Sequence, residues 1–329
     1  MREVRITGTG HYAPEKVVPN NYFNELLGED VDTWLVENLT IRERRWCNEN
    51  QSTADLAESA ARKALESAGI KAAALDLIIV ATDTPEYISP STASVIQDRL
   101  CAINAGTFDL NTACAGFVTA CDTAVKFIKA DEQYNKVLVI GAYAMSKYLD
   151  LSDKKTVTLF ADGAGAVVLE ASKKKGFLAS MLHTEGQYNS WMGIYGGGTN
   201  MPLTEERVKN KEHLLKFARK FPKELNPEKW TSMINTVIAK AGVEVKDVKH
   251  FFFTQININS IWQTLDNLQI PRDRAVTIMH KYGYTGSACI PMALDDAHLR
   301  GILQNGDKVI FMGSGGGLAF ACQLFEWNT

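Results

Sequence analysis

Short runs of consecutive apolar residues recur along this chain at wide intervals. Leu77–Ala81, Val137–Ile140 and Ala164–Leu169 are too short for free-standing helices and unbroken by polar positions. That is the pattern of strands covered on both faces. Helical signals fall between them. Ser52-Thr53-Ala54-Asp55 reads as a capping box opening an Ala-rich helix that stops at Gly69. Pro90-Ser91-Thr92 opens another, and Phe117, Cys121, Ala124 and Ile128 keep helical spacing. Strands alternating with helices predict a layered α/β fold.

The second half repeats the first. Ala68-Gly69-Ile70 followed by Leu77–Val80 returns as Ala241-Gly242-Val243 followed by His250–Phe253. Lys136-Val137-Leu138-Val139-Ile140-Gly141 returns as Lys308-Val309-Ile310-Phe311-Met312-Gly313. Thr112-Ala113-Cys114 falls opposite Thr285-Gly286-Ser287. The offset from Ala68 to Ala241, from Lys136 to Lys308 and from Thr112 to Thr285 is 172 or 173 residues each time. Three matches in register predict a duplicated unit, with halves 1–172 and 173–329 packed as pseudo-twofold mates and a site where equivalent elements meet. The charged stretch Thr204–Lys229 reads as a solvated, helical insertion over that site.

Composition narrows the class. With 329 residues and 46% hydrophobic content the chain can build a large core. A net charge of −3 argues against a nucleic-acid or anionic-membrane partner. No apolar run approaches the roughly 20 residues of a membrane span. The opening MREVRITGTGHYAP has no apolar signal region and reads as a first strand, so a cytoplasmic setting is expected. The six cysteines form no CxxC pair and are expected as thiols, with no metal site.

Cys114 stands apart from the other five. It follows a strand and a tight turn of small residues, and it opens a helix, where free backbone N–H groups and the helix dipole favour a thiolate. Ala113, Ala115 and Gly116 leave room for a carbonyl to approach. Gly313-Ser314-Gly315-Gly316-Gly317 follows the last buried strand and can bring a backbone N–H to a ligand. It lacks the spacing and following helix of a dinucleotide fingerprint.

Together these segments resemble the β-ketoacyl-ACP synthase III family of the thiolase superfamily. The nucleophile motif is Asp109-Leu110-Asn111-Thr112-Ala113-Cys114-Ala115-Gly116-Phe117. Phe160-Ala161-Asp162-Gly163-Ala164-Gly165-Ala166, Tyr282-Gly283-Tyr284-Thr285-Gly286-Ser287-Ala288, the glycine turn, and Trp34 followed by Ile41-Arg42-Glu43-Arg44-Arg45 come in the family's order. The resemblance spans essentially the whole chain. It implies a thiolase-like five-layer αβαβα fold, a homodimer, and an acyltransferase that loads an acyl group from acyl-CoA or acyl carrier protein onto Cys114. No cofactor is implied, because the CoA or phosphopantetheine thioester is itself the substrate. By the same resemblance, Gly316 and the Cys114 N–H form the oxyanion hole. Trp34 stacks on the CoA adenine, Lys154 lies near that nucleotide, and Asn257 matches the asparagine of the family's His-Gln-Ala-Asn motif. Ile88 and Ser89 fall where a partner subunit's segment closes the acyl pocket.

Two positions depart from the family. Its catalytic histidine falls at Thr254 and its catalytic asparagine at Tyr284, and neither residue is a base near pH 7. Three activities follow as alternatives: acyl transfer to an amine, a hydroxyl or a pre-activated carbon acid; decarboxylating β-ketoacyl synthesis in fatty-acid or polyketide formation; or a half-active subunit of a hetero-oligomeric synthase. His250 shares strand parity with Thr254 but lies about 13 Å along an extended strand. His280 precedes the Tyr284 loop, and Asp83 and Glu86 follow a central strand; each is a candidate replacement base.

Overall fold

The computed structural model describes residues 2–328, and in it the apolar runs assemble into two sheets. The first contains β1 (Glu3–Tyr12), β2 (Leu77–Ala81), β3 (Gly106–Leu110), β4 (Lys136–Ala144) and β5 (Asp162–Ser172) in the order β1-β5-β4-β2-β3. The second contains β6 (Phe177–Thr184), β7 (Val248–Phe253), β8 (Lys308–Gly315) and β9 (Ala319–Glu326) in the order β7-β8-β9-β6.

The two topologies are copies. β2 runs parallel to β4, which pairs antiparallel with β5 and then β1. Likewise β7 runs parallel to β8, which pairs antiparallel with β9 and then β6. The counterpart of β3 survives in the second half as a single parallel bridge between Phe251 and Ala275.

Helices fill the remaining layers. α1 (Asp32–Leu39) belongs to an N-terminal excursion. α2 (Thr53–Ala68) covers the outer face of the first sheet, with Ser52 and Asp55 forming its capping box and Gly69 closing it at φ +66°. Its alanine face lies so close to β1 that a Cβ on Gly8 would sit 2.4 Å from the Ala64 carbonyl oxygen. α3 (Gly116–Ala130) and α6 (Cys289–Leu299) lie between the sheets, while α4 (Leu225–Ala241) and α5 (Ile258–Asn267) belong to the second half's outer layer. The sequence is therefore helix, sheet, helix, sheet, helix, and the central pair is apolar nearly all round, as burial on both sides requires.

The stretch 204–229 departs from the expected solvated helix. It forms one short helix, Glu205–Lys209, a two-residue strand at Lys216–Phe217, and the start of α4. Leu215, Phe217 and Phe221 turn inward, and that requirement overrides the surrounding charge pattern. No helix among the described residues is long and apolar enough to cross a membrane.

Candidate active site

The parallel strands of both sheets end on the same junction, the usual place for a site in open α/β sheets. After β3, the Asn111 side chain accepts the Ala113 N–H at 2.9 Å, and Ala113 takes the left-handed conformation at φ +47°. Ala115 and Gly116 donate back to Thr112 and Ala113 at 3.1 and 2.9 Å. This tight turn brings Cys114 to the start of α3 and to the wall of a cavity of about 250 Å³.

The glycine turn after β8 forms the opposite wall. A Cβ on Gly315 would lie 2.4 Å from the Cys114 nitrogen, and one on Gly313 3.0 Å from the Ala115 Cα, so only glycine permits this approach. Gly316 and Gly317 line the same cavity as Cys114.

The thiol's environment differs from a helix N-terminus acting alone. Tyr143 lines the cavity beside Cys114, and the Tyr143 and Tyr284 hydroxyls both favour the thiolate. Burial outweighs them, and the negative charge of Asp83 adds to it, so the Cys114 pKa is pushed well above the usual thiol range. A proton acceptor beside the sulfur would therefore assist its acylation.

Asp83 follows β2 and faces this cavity. Thr82 and Thr84 around it are clamped: the Thr84 hydroxyl accepts the Ala144 N–H at 2.9 Å and the Thr82 hydroxyl accepts the Thr84 N–H at 3.0 Å. Asp83 Oδ1 is sealed from solvent without a hydrogen-bond partner, and burial lifts its carboxyl pKa to about 6. Glu86 is occupied elsewhere, accepting the Ala54 N–H at 2.9 Å at the start of α2.

Thr254 has a different employment from a free donor. Its N–H bonds the Met312 carbonyl at 3.0 Å. Its hydroxyl then accepts the Ser314 N–H at 2.9 Å and donates to the Ser314 carbonyl at 3.2 Å, extending the β7–β8 ladder by a side chain. Thr254 and Tyr284 meet at a small apolar void of about 80 Å³ narrowed by Phe217 and Phe221. Asn257 caps α5, accepting the Asn259 N–H at 3.0 Å, and lines neither the void nor the Cys114 cavity.

Trp34 and Lys154 come together on a separate pocket of about 410 Å³. Trp34 is half-exposed there, and Lys154 pairs with Glu29 at 2.9 Å. The fully buried Arg44 joins the two walls: it donates to Asn20 Oδ1 at 2.7 Å and to the Thr158 carbonyl at 2.5 Å, while Asn20 donates to Asp32 of α1 at 2.8 Å. No histidine lines the Cys114 cavity among the described residues. His280 lines a surface pocket with Arg42 and Trp262, and His250 faces Asp307.

Sequence reasoning missed Tyr143. Its signal was positional: it sits at the end of β4, in the repeat register of Gly315 on β8. Its ring presses on Gly286, where a Cβ would come within 2.4 Å.

Comparison with known proteins agrees with this geometry. The family profile described as 3-oxoacyl-[acyl-carrier-protein] synthase III matches residues 108–186, and its C-terminal counterpart matches 238–327. The chain is 34% identical to the β-ketoacyl-[acyl-carrier-protein] synthase III of Clostridium acetobutylicum over the full length of both, and 35% identical to that of Staphylococcus haemolyticus over 99% of each. The crystal structure of the Aquifex aeolicus 3-oxoacyl-[acyl-carrier-protein] synthase III superposes with a TM-score of 0.89 at 33% identity, covering 98% of this chain and 100% of the other. The priming β-ketosynthase of the R1128 polyketide pathway gives 0.89 at 27% identity, over 99% and 96%.

Proposed function

The chain belongs to the 3-oxoacyl-[acyl-carrier-protein] synthase III family and is an acyltransferase of that type, and we propose that its acyl carrier is Cys114. The observation that carries this reading is the apposition of the Cys114 turn and the glycine turn across one cavity. An acyl thioester bound there places its carbonyl oxygen between the Cys114 and Gly316 N–H groups, which stabilise the oxyanion formed when sulfur attacks. Trp34 offers an exposed aromatic face to the CoA adenine, and Lys154 a cation to its phosphates once it leaves Glu29. The thioester is a substrate, and no resident cofactor is required.

Decarboxylation is the weaker second half-reaction for this site. It needs donors to the malonyl thioester carbonyl as the enolate forms, and the Thr254 hydroxyl is already committed to Ser314. The void beside it is too small for a thioester arm in this conformation. Transfer to an acceptor that brings its own nucleophile fits the remaining groups. The exposed Tyr87–Ile88 tip suits a homodimer in which the partner's copy closes the acyl pocket, and the free cysteines suit the reducing cytoplasm.

Intact-protein mass spectrometry tests the reading. Mixing the protein with acetyl-, butyryl- and octanoyl-CoA should add one acyl group, and Cys114→Ala should abolish the adduct. No adduct across that panel would overturn it. Light scattering tests the dimer, and a monomer at micromolar concentration would count against the closing tip.

A further inference from the structure

We propose that Asp83 is the proton acceptor for both half-reactions at Cys114, and that the acyl acceptor is an uncharged hydroxyl or amino compound rather than a carboxylated extender. The inference rests on the reading that Cys114 is acylated.

Three observations lead to it. A buried thiol whose charged form is disfavoured is helped by a base, and among the described residues the Thr254 hydroxyl is committed to Ser314 and no histidine lines the cavity. Among the described residues Asp83 is the only charged one lining the cavity, and its Oδ1 is buried there with no partner. A carboxylate with one oxygen buried and without a partner is costly, and such groups concentrate where their proton affinity is used. The other titratable groups facing it are Cys114, Tyr143, Tyr148 and Tyr195, all raised by burial and neutral at pH 7. Asp162, which acts on Tyr143, is already saturated by the Cys47 N–H at 2.6 Å and the Ser146 N–H at 2.8 Å. Among the described residues Asp83 is thus the anion on the cavity wall placed to take a proton.

The proton count closes over the cycle. In loading, the Cys114 S–H bond breaks, the proton passes to the Asp83 carboxylate, and sulfur attacks the thioester carbonyl. The bond to the CoA sulfur breaks, and that sulfur leaves with the proton from Asp83. In transfer, the acceptor's O–H or N–H gives its proton to Asp83 as oxygen or nitrogen attacks the acyl carbonyl. Cys114 sulfur leaves and regains a proton from Asp83. Acyl-CoA and H–X become acyl–X and CoA–SH, with no oxidant or reductant. The same negative charge discriminates between acceptors, because a malonyl carboxylate entering this cavity meets it at close range in a poorly screened site.

The test uses the full-length protein, Asp83→Asn, Asp83→Glu and Cys114→Ala, with acetyl-, butyryl- and octanoyl-CoA from pH 5 to 9. Wild-type loading should rise with pH through a midpoint near 6. Asp83→Asn should slow it ~10²–10⁴-fold, as for loss of a general base, and erase that midpoint, and Asp83→Glu should recover part of the rate. A chase of the acyl-enzyme with simple alcohols and amines should release acyl product in an Asp83-dependent way, and labelled malonyl-CoA should release no CO₂. Loading by Asp83→Asn at the wild-type rate and pH profile overturns the proposal while leaving Cys114 acylation standing. So does labelled CO₂ accompanied by a β-ketoacyl product. If Asp83→Asn does not fold, the wild-type profile decides, and a rate flat from pH 5 to 8 overturns the proposal. Wild-type protein that never loads refutes the acyl-carrier reading instead.

Discussion

Replacing Thr254 by valine separates a strand brace from a catalytic donor. Valine keeps the shape and the β-branched rotamer but removes the hydroxyl. That hydroxyl serves both the N–H and the carbonyl of Ser314, at 2.9 and 3.2 Å, on a side chain 1% exposed. Each buried backbone group left unpaired costs about 1–3 kcal/mol, so the loss should be about 2–5 kcal/mol, a large part of a domain's stability. For a chain of 329 residues, an unfolding entropy of about 2.1 cal/mol/K per residue converts this to a Tm lower by ~3–7 °C. Scanning calorimetry reads that shift, and acyl-CoA loading measured on the same samples below the transition should be unchanged. An unchanged Tm with loading or transfer reduced ~10²-fold or more, the signature of a lost preorganised donor, would refute the reasoning.

Other outcomes follow from the same geometry. Gly315→Ala puts a methyl group 2.4 Å from the Cys114 nitrogen, so loading should fall by about 10²-fold or more, the scale of a misplaced oxyanion donor, in single-turnover assays. Trp34→Ala should raise KM for acyl-CoA about 10-fold with kcat nearly unchanged, and leave a truncated acyl thioester lacking adenine unaffected, as for a uniform binding contact. Asp83→Asn should alter stability with pH. The folded carboxyl titrates near 6 against 3.8 unfolded, so holding its charge destabilises the native state fully above pH 6, less as pH falls, and not at all below about 4. The variant should therefore gain up to ~3 kcal/mol at pH 8 and little at pH 4 in urea titrations.

The fold was readable because burial leaves a strong imprint on sequence. Leu77–Ala81 is apolar throughout because helices cover both its faces, and the repeat could be seen because the two halves still share register at Gly141 and Gly313. The meeting of the Cys114 turn and the glycine turn on one cavity was readable because a tight turn of small residues and a close backbone approach demand particular residues. The rest depended on partners distant in sequence. Nothing local marks the Thr254 hydroxyl as bound to Ser314, sixty residues away. The helix-terminus argument for a Cys114 thiolate left out burial and Asp83, which no local pattern shows and which both disfavour the charged form. Asp83 and Glu86 are close neighbours in one loop, yet Glu86 caps a helix and Asp83 faces the cavity with Oδ1 unpartnered. The charge pattern of 204–229 concealed the few apolar residues that roof the site.

The duplicated junction also divides labour between its two copies. In the Cys114 copy, Gly315 leaves only backbone against the Cys114 turn, and a cavity opens beside it. In the other copy, the equivalent strand position is Tyr143, whose ring fills the space over Gly286, while the Ser287 hydroxyl is tied to the Ala142 carbonyl at 3.0 Å. The second centre is plugged, and its plug points a phenol at the first. The two equivalent positions thus differ in access: backbone alone at Gly315, an aromatic ring at Tyr143. A small residue at Tyr143 would open the space over Gly286 and at the same time remove a hydroxyl that favours the thiolate of Cys114.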